Sequence, residues 1–123
     1  MSRINYCHVT VECAGCPAKV LNSRRDIQVA LRSAASTCNL HIVKEGLHQF
    51  RPQGITAYVL LSESHISIHT WPEERFALID VLSCSSFDVE ALVKSLRELL
   101  QPSSTSVSSH THKSGRRVKL SRK

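Results

Sequence analysis

Ser62-Glu63-Ser64-His65-Ile66-Ser67-Ile68-His69-Thr70-Trp71-Pro72-Glu73 is the stretch from which the rest of the chain can be placed. Ile66, Ile68 and Thr70 alternate with Ser67, His69 and Trp71, the period-2 pattern of a half-buried strand. Residues two apart share a face, so Ser67, His69 and Trp71 point one way and Ile66 and Ile68 the other. Pro72 has no N–H to give to a sheet ladder, so the strand ends there. A Glu-Ser bond beside a strand with a histidine can hold a nucleophile and its base. The same residues also fit a polar edge strand carrying an incidental histidine, and spacing alone leaves both readings open.

Working outward, neighbouring segments show comparable signals. Ile55 to Leu61 is an apolar run of strand length, preceded by the turn signal Pro52-Gln53-Gly54. Residues 76–82 alternate Phe76, Leu78, Asp80 and Leu82 against Ala77, Ile79 and Val81. Residues 5–12 and Leu40, Ile42 and Val43 suggest two more strands. Asn22 or Ser23 can cap a helix over 24–38, where Ile27, Ala30, Leu31, Ala34 and Cys38 fall at helical spacing. Asp88 can cap a last helix with Val89, Leu92, Val93, Leu96 and Leu100 on one face, and Pro102 marks its end. The order β-α-β-β-β-β-α, with short turns between strands, predicts an α+β fold: an antiparallel sheet with two helices on one face. Strands 55–61 and 76–82 are apolar on both sides, so the uncovered face predicts an oligomer.

The net charge of +6 is misleading as a guide to partners. Residues 1–100 hold ten Lys/Arg and ten Asp/Glu; the excess is Lys113, Arg116, Arg117, Lys119, Arg122 and Lys123. The expected division is therefore a catalytic domain over 1–101 and a disordered, basic, Ser-rich tail over 102–123, with too little apolar surface to offset its ordering entropy. A basic tail can meet nucleic acid or acidic surfaces, but the neutral domain carries no basic stripe, and a nucleic-acid partner is not expected. No apolar run is long enough to span a membrane, and no secretory h-region opens the chain. Five cysteines, an odd number without a secretory context, suggest free thiols in the cytoplasm. Cys13-Ala-Gly-Cys16 has redox or half-zinc spacing, but no second pair follows it, so no metal site is assigned.

The run over 63–73 resembles the signature of the prokaryotic S-adenosylmethionine decarboxylases, small enzymes that make a pyruvoyl cofactor by cutting themselves. Further similar stretches are His48-Gln49-Phe50-Arg51-Pro52-Gln53-Gly54, Asp80-Val81-Leu82-Ser83-Cys84 and residues 8–21, so the resemblance covers about 4–100. It implies cleavage between Glu63 and Ser64, a pyruvoyl group made from Ser64, and decarboxylation of S-adenosylmethionine to supply the aminopropyl donor for spermidine. It also implies a homodimer that stacks two sheets in a four-layer αββα sandwich.

Residue roles follow from the same resemblance. His69 matches the processing base, and an imidazole that titrates near neutral pH suits proton abstraction. Thr56 stands where the family usually has Ser and keeps the assisting hydroxyl on a stiffer side chain. Cys84 matches the acid that reprotonates the α-carbon after CO₂ leaves. Phe50 matches an aromatic that stacks on adenine and Glu73 a carboxylate that accepts hydrogen bonds from the ribose diol; apart from these matches, Glu12 on the first strand is a further candidate to reach the substrate. The family's usual Tyr-Gly-Tyr is replaced here by Glu74, Arg75 and Phe76, and its Asp-Pro-Glu after the first strand by Cys16-Pro17-Ala18-Lys19. Those departures leave room for a pyruvoyl-dependent decarboxylase of another amino acid, such as arginine or ornithine. A non-catalytic protein using its basic tail is a third alternative, against which the intact Glu63, Ser64 and Cys84 count.

Overall fold

The structure, a computed structural model, describes residues 4–113. Its elements run β1 (Asn5–Ala14), α1 (Ala18–Leu21), α2 (Arg24–Thr37), β2 (Ile42–Gln49), β3 (Ile55–Leu61), β4 (Ser64–Trp71), a 3-10 turn (Pro72–Glu74), β5 (Phe76–Ser83), α3 (Val89–Leu100) and β6 (Ser104–Lys113). The strands form one antiparallel sheet in the order β2-β3-β4-β5-β1-β6. No helix among the described residues is long and apolar enough to cross a membrane.

The alternation seen in the sequence decides which face is covered. Val9, Val11, Ala57, Val59, Ile66, Ile68, Ile79 and Val81 are buried, and the strand register sets them side by side, Val11 against Ile79 against Ile68 against Ala57. The helices supply the other half of this core through Ile27, Leu31 and Ala34 of α2 and Leu92, Leu96 and Leu100 of α3. Ser23 caps α2, its hydroxyl accepting from the Asp26 N–H at 3.1 Å; Asp88 caps α3, accepting from Ala91 N–H at 3.0 Å. Asn22, the other cap candidate, instead holds the β2–β3 turn: its Oδ1 accepts from the Gly54 N–H at 2.9 Å, and its carbonyl accepts from Gln49 Nε2 at 2.8 Å. Gly54 takes φ +107°, a conformation that strains a residue with a Cβ.

Among the described residues no helix covers the opposite face. Tyr58, Leu78 and Leu82 are half-buried there beside Thr10, Ser67 and Asp80, and Leu60 is 41% exposed.

Three features differ from the sequence expectation. The strand expected around 40–43 begins at Ile42 and runs to Gln49. It is an edge strand, largely exposed and with a register shift between Ile42 and Lys44, so its residues lack a clean alternation. The four-residue α1 is too short for a periodic signal.

The largest correction concerns the tail. Ser104–Lys113 is not disordered: it forms β6 and pairs with β1 along its whole length, from Ala14↔Ser104 to Asn5↔Lys113. The domain therefore extends past residue 101, and the rest of the expected tail, 114–123, lies outside the described residues. A polar, Ser-rich strand can form because its ladder partner is already fixed by the core behind β1, so ordering needs little apolar burial of its own. Arg97 adds a tie by donating from Nη2 to Thr105 Oγ1 at 2.7 Å.

An ordered β6 gives residues 104–113 a structural part in the domain. Deleting 103–123 exposes the long edge of β1. Loss of the ladder and its side-chain ties should cost on the order of 1–2 kcal/mol net, which lowers Tm by roughly 5–10 °C in a domain of this size. Thermal melting and light scattering of the truncated chain check this; an unchanged Tm without association would show that β6 contributes nothing.

Candidate active site

The Glu63–Ser64 bond lies at the turn between β3 and β4, and Ser64 is the first residue of β4, paired with Leu61. The end of β5 brings Cys84 to the same place. The Cys84 backbone N–H donates to Ser64 Oγ at 3.3 Å, and the Cys84 thiol donates to the Glu63 carbonyl oxygen at 3.4 Å. One residue thus contacts both the Ser64 hydroxyl and the carbonyl of the preceding peptide. Cys84 is the exposed cysteine among five free thiols; Cys7, Cys13, Cys16 and Cys38 are buried. Burial pushes the Cys38 thiol up to about 11. A hydrogen bond from Cys13 pulls the Cys16 thiol down, and the same bond raises Cys13.

A second group sits at the far end of the hairpin. Thr56 and His69 face each other across β3 and β4, and Thr56 Oγ1 lies 3.0 Å from His69 Nδ1. Buried Thr70 anchors this end, donating to the Leu21 carbonyl and accepting from the Ile55 N–H, both at 2.9 Å. Phe50 follows β2, is 48% exposed and makes an edge contact with His48 at 4.6 Å. Its position is set by the Gly54 carbonyl, which accepts its N–H at 2.8 Å. Glu73 is exposed in the 3-10 turn after Trp71. Glu12 shares a cross-sheet row with this group: Thr56, His69, Leu78 and Glu12 are successive partners. With neighbouring strands about 4.8 Å apart, Glu12 stands roughly 10 Å from β4.

The site residues expected from the sequence therefore form two sets in one chain: Glu63, Ser64 and Cys84 at one end, Thr56 and His69 with Phe50, Glu73 and Glu12 towards the other. Ser64 and His69 are five residues apart on one strand, about 16 Å at ~3.3 Å per residue. Ser64 also shares its strand parity with the helix-facing Ile66 and Ile68, whereas His69 shares the parity of the open face.

Sequence reasoning passed over one cluster between them. Asp80 of β5 is 2.7 Å from His8 Nε2 on β1 and 3.3 Å from His65 Nε2 on β4. Single strands give no sign of it, because its members lie on three strands. Arg75, named from the sequence only as a departure from the family pattern, takes a left-handed backbone (φ 54°) and donates from Nε to the Cys16 carbonyl at 3.0 Å.

Comparisons with known proteins bear on the family and the fold. The family model for S-adenosylmethionine decarboxylase matches residues 7–113, which includes β6. The S-adenosylmethionine decarboxylase proenzyme of Methanococcus maripaludis is 37% identical over 101 residues, covering 81% of this chain and 83% of the relative. That of Acetivibrio thermocellus is 39% identical over 77 residues, covering 63% and 62%. The crystal structure of the adenosylmethionine decarboxylase from Aquifex aeolicus superposes with a TM-score of 0.75 at 28% identity over the full length of both chains. The Trypanosoma brucei AdoMetDC-delta26 monomer, with a TM-score of 0.63 at 14% identity over 82% of this chain and 44% of that one, shares the fold. These relatives give the arginine or ornithine alternative no support. With the family model spanning nearly all the described residues, the chain belongs to the S-adenosylmethionine decarboxylase family, and its reaction is a decarboxylation of S-adenosylmethionine.

Proposed function

We propose that the chain is made as a precursor that cuts its own Glu63–Ser64 bond, that residue 64 becomes a pyruvoyl group, and that each site is shared between two copies. The observation that carries this is the double hold of Cys84 on Ser64 Oγ and the Glu63 carbonyl. The Ser64 oxygen attacks the Glu63 carbonyl carbon, the peptide C–N bond breaks, and an ester joins Glu63 to the Ser64 side chain. The Cys84 S–H points at the oxygen on which negative charge develops, which lowers that barrier. Removal of the Ser64 α-proton then expels the Glu63 carboxylate. The dehydroalanine left at position 64 takes up water and loses ammonia.

The base for that proton is His69. With its proton on Nδ1, donated to Thr56 Oγ1, Nε2 is free to accept another. The ~16 Å between His69 and the Ser64 of its own chain makes it the partner's base instead. The uncovered sheet face, with Tyr58, Leu60, Leu78 and Leu82, is the surface through which two copies would meet. Ser64 and Cys84 of one copy then join Phe50, Thr56, His69 and Glu73 of the other.

The pyruvoyl group suits this position: it would arise at a half-buried strand end that Cys84 already touches, through its N–H to Ser64 Oγ and its thiol to the Glu63 carbonyl. When formed, it supplies an electron-withdrawing carbonyl that takes up the electrons released as CO₂ departs. The chain's own residues do the rest. Phe50 offers a face for the adenine, Glu73 accepts from the ribose hydroxyls, and Cys84 returns a proton to the substrate's α-carbon. Five free thiols suit a reducing, cytoplasmic setting.

Cys84→Ala tests the double role. Losing a single thiol hydrogen bond, worth ~1 kcal/mol, should slow self-cleavage by about fivefold. Losing the proton donor should lower turnover on the order of 100-fold or more. Release of CO₂ from carboxyl-labelled S-adenosylmethionine, normalised to the fraction of chains cut, separates the two; equal losses in both would remove Cys84 from the turnover step.

A further inference from the structure

Cys13-Ala14-Gly15-Cys16 carries two thiols that the cleavage and decarboxylation chemistry does not use. Cys13 lies on β1, and Cys16 follows it ahead of α1. Gly15 takes φ +74°, and a Cβ there would collide with Ser103 Oγ, just before β6. That turn folds residue 16 back onto residue 13. The Cys16 thiol donates to the Cys13 carbonyl at 3.7 Å, and the Cys13 thiol donates to the Cys16 sulfur. The two sulfurs are thus already neighbours.

Cys16 is also where the end of β1 holds the β4–β5 turn. Its N–H donates to the Arg75 carbonyl at 3.0 Å, and its carbonyl accepts from Arg75 Nε at 3.0 Å. The Gly15 carbonyl accepts from Arg75 Nη2 at 3.4 Å. Arg75 in turn closes the 3-10 turn that carries Glu73, its N–H donating to the Pro72 carbonyl at 3.1 Å. A displacement of Cys16 therefore reaches Glu73 through a short series of hydrogen bonds. Ser64 and Cys84, at the other end of the hairpin, are not in that series.

We propose that Cys13 and Cys16 are a redox-active dithiol, closed to a disulfide by a hydroperoxide, and that closure loosens the Glu73 turn. Cys16 is the attacking sulfur, because the Cys13 hydrogen bond pulls its thiol down against the effect of burial and Arg75 adds to the pull. Its thiolate displaces hydroxide from hydrogen peroxide and becomes a sulfenic acid, and the hydroxide leaves as water with the Cys16 proton. The Cys13 sulfur then attacks the Cys16 sulfur and expels a second hydroxide, which leaves as water with the Cys13 proton. Two thiols lose two electrons, and one peroxide becomes two waters. Both thiols are buried, so the reaction waits on brief local opening, which a molecule little larger than water can use. The new S–S bond draws Cys16 towards Cys13 and away from Arg75. The effect on Glu73 rests on the decarboxylase reading; the disulfide does not.

In the test, the purified full chain is treated with hydrogen peroxide and denatured. Its remaining thiols are alkylated, and the tryptic peptide 4–19 is weighed. That peptide holds Cys7, Cys13 and Cys16 and no other cysteine. After peroxide it should carry one alkyl group, on Cys7, and dithiothreitol should restore all three. Cys16→Ser should carry two under the same treatment. Oxidation should raise the KM for S-adenosylmethionine about fivefold, the equivalent of one net hydrogen bond lost from the turn. Cys16→Ser should show no such rise. Any loss of kcat through oxidation of Cys84 occurs equally in both proteins, so the KM difference isolates the dithiol. Three alkyl groups after peroxide, or a disulfide from either cysteine to Cys7 or Cys38, overturns the pair. A Cys13–Cys16 disulfide with KM unmoved overturns its control of the turn. No CO₂ release from the reduced protein defeats the decarboxylase reading instead, and the peptide mass still decides the disulfide.

Discussion

Ser64→Ala should remain a single uncut chain under conditions in which the wild type separates into fragments 1–63 and 64–123. The effect should be complete, because cleavage begins with an oxygen that the variant lacks. Cys84 would still approach the Glu63 carbonyl, but a polarised carbonyl without a nucleophile stays a peptide. Intact-mass analysis of freshly purified protein reads the result directly. The second wild-type fragment should resist Edman sequencing, since a pyruvoyl-capped end has no free amine. His69→Ala should behave differently from Ser64→Ala. The ester can form without α-proton removal, so hydroxylamine should cut this variant at position 63 while leaving Ser64→Ala intact. A wild-type chain that stays whole yet releases CO₂ would defeat the self-cleavage mechanism.

A mixed dimer of Ser64→Ala and His69→Ala chains should recover cleavage that neither homodimer shows. If His69 of one copy serves Ser64 of the other, one of the two sites in the mixed dimer carries both lesions and the other carries neither. The His69→Ala chain, whose serine is intact, is then cut by the histidine of its partner. If both residues acted within a chain, each site would hold one lesion and nothing would be cut. The basis is the length of β4: five residues of strand hold Ser64 and His69 about 16 Å apart, and the ladders to β3 and β5 prevent the bend that would close the gap. Different affinity tags isolate the mixed dimer, and the tag on the shortened chain shows which copy was processed. No cleavage in a verified mixed dimer would refute the shared site. A protein that stays monomeric at all concentrations would refute it as well.

The local pattern determined the core. The alternation of Ile66, Ile68 and Thr70 with Ser67, His69 and Trp71, and the helical spacing of Ile27, Leu31 and Ala34, each report burial of one face, and burial depends on side chains close in sequence. The motif over 63–73 likewise suggested the proposed cleavage, since that needs two adjacent residues and those are visible in any chain. Tertiary structure decided what depends on partners far along the sequence. Ser104–Lys113 reads as disordered because it has little apolar surface, yet it is ordered by the edge of β1, about a hundred residues earlier. The double hold of Cys84 on residues 63 and 64 exists because β5 lies beside β4. The His8–Asp80–His65 contacts span three strands, and Arg75 reaches the Gly15 and Cys16 carbonyls from the far end of the β4–β5 turn. Sequence periodicity records which face a residue turns to the core; which distant group it meets is set only when the strands find their order in the sheet.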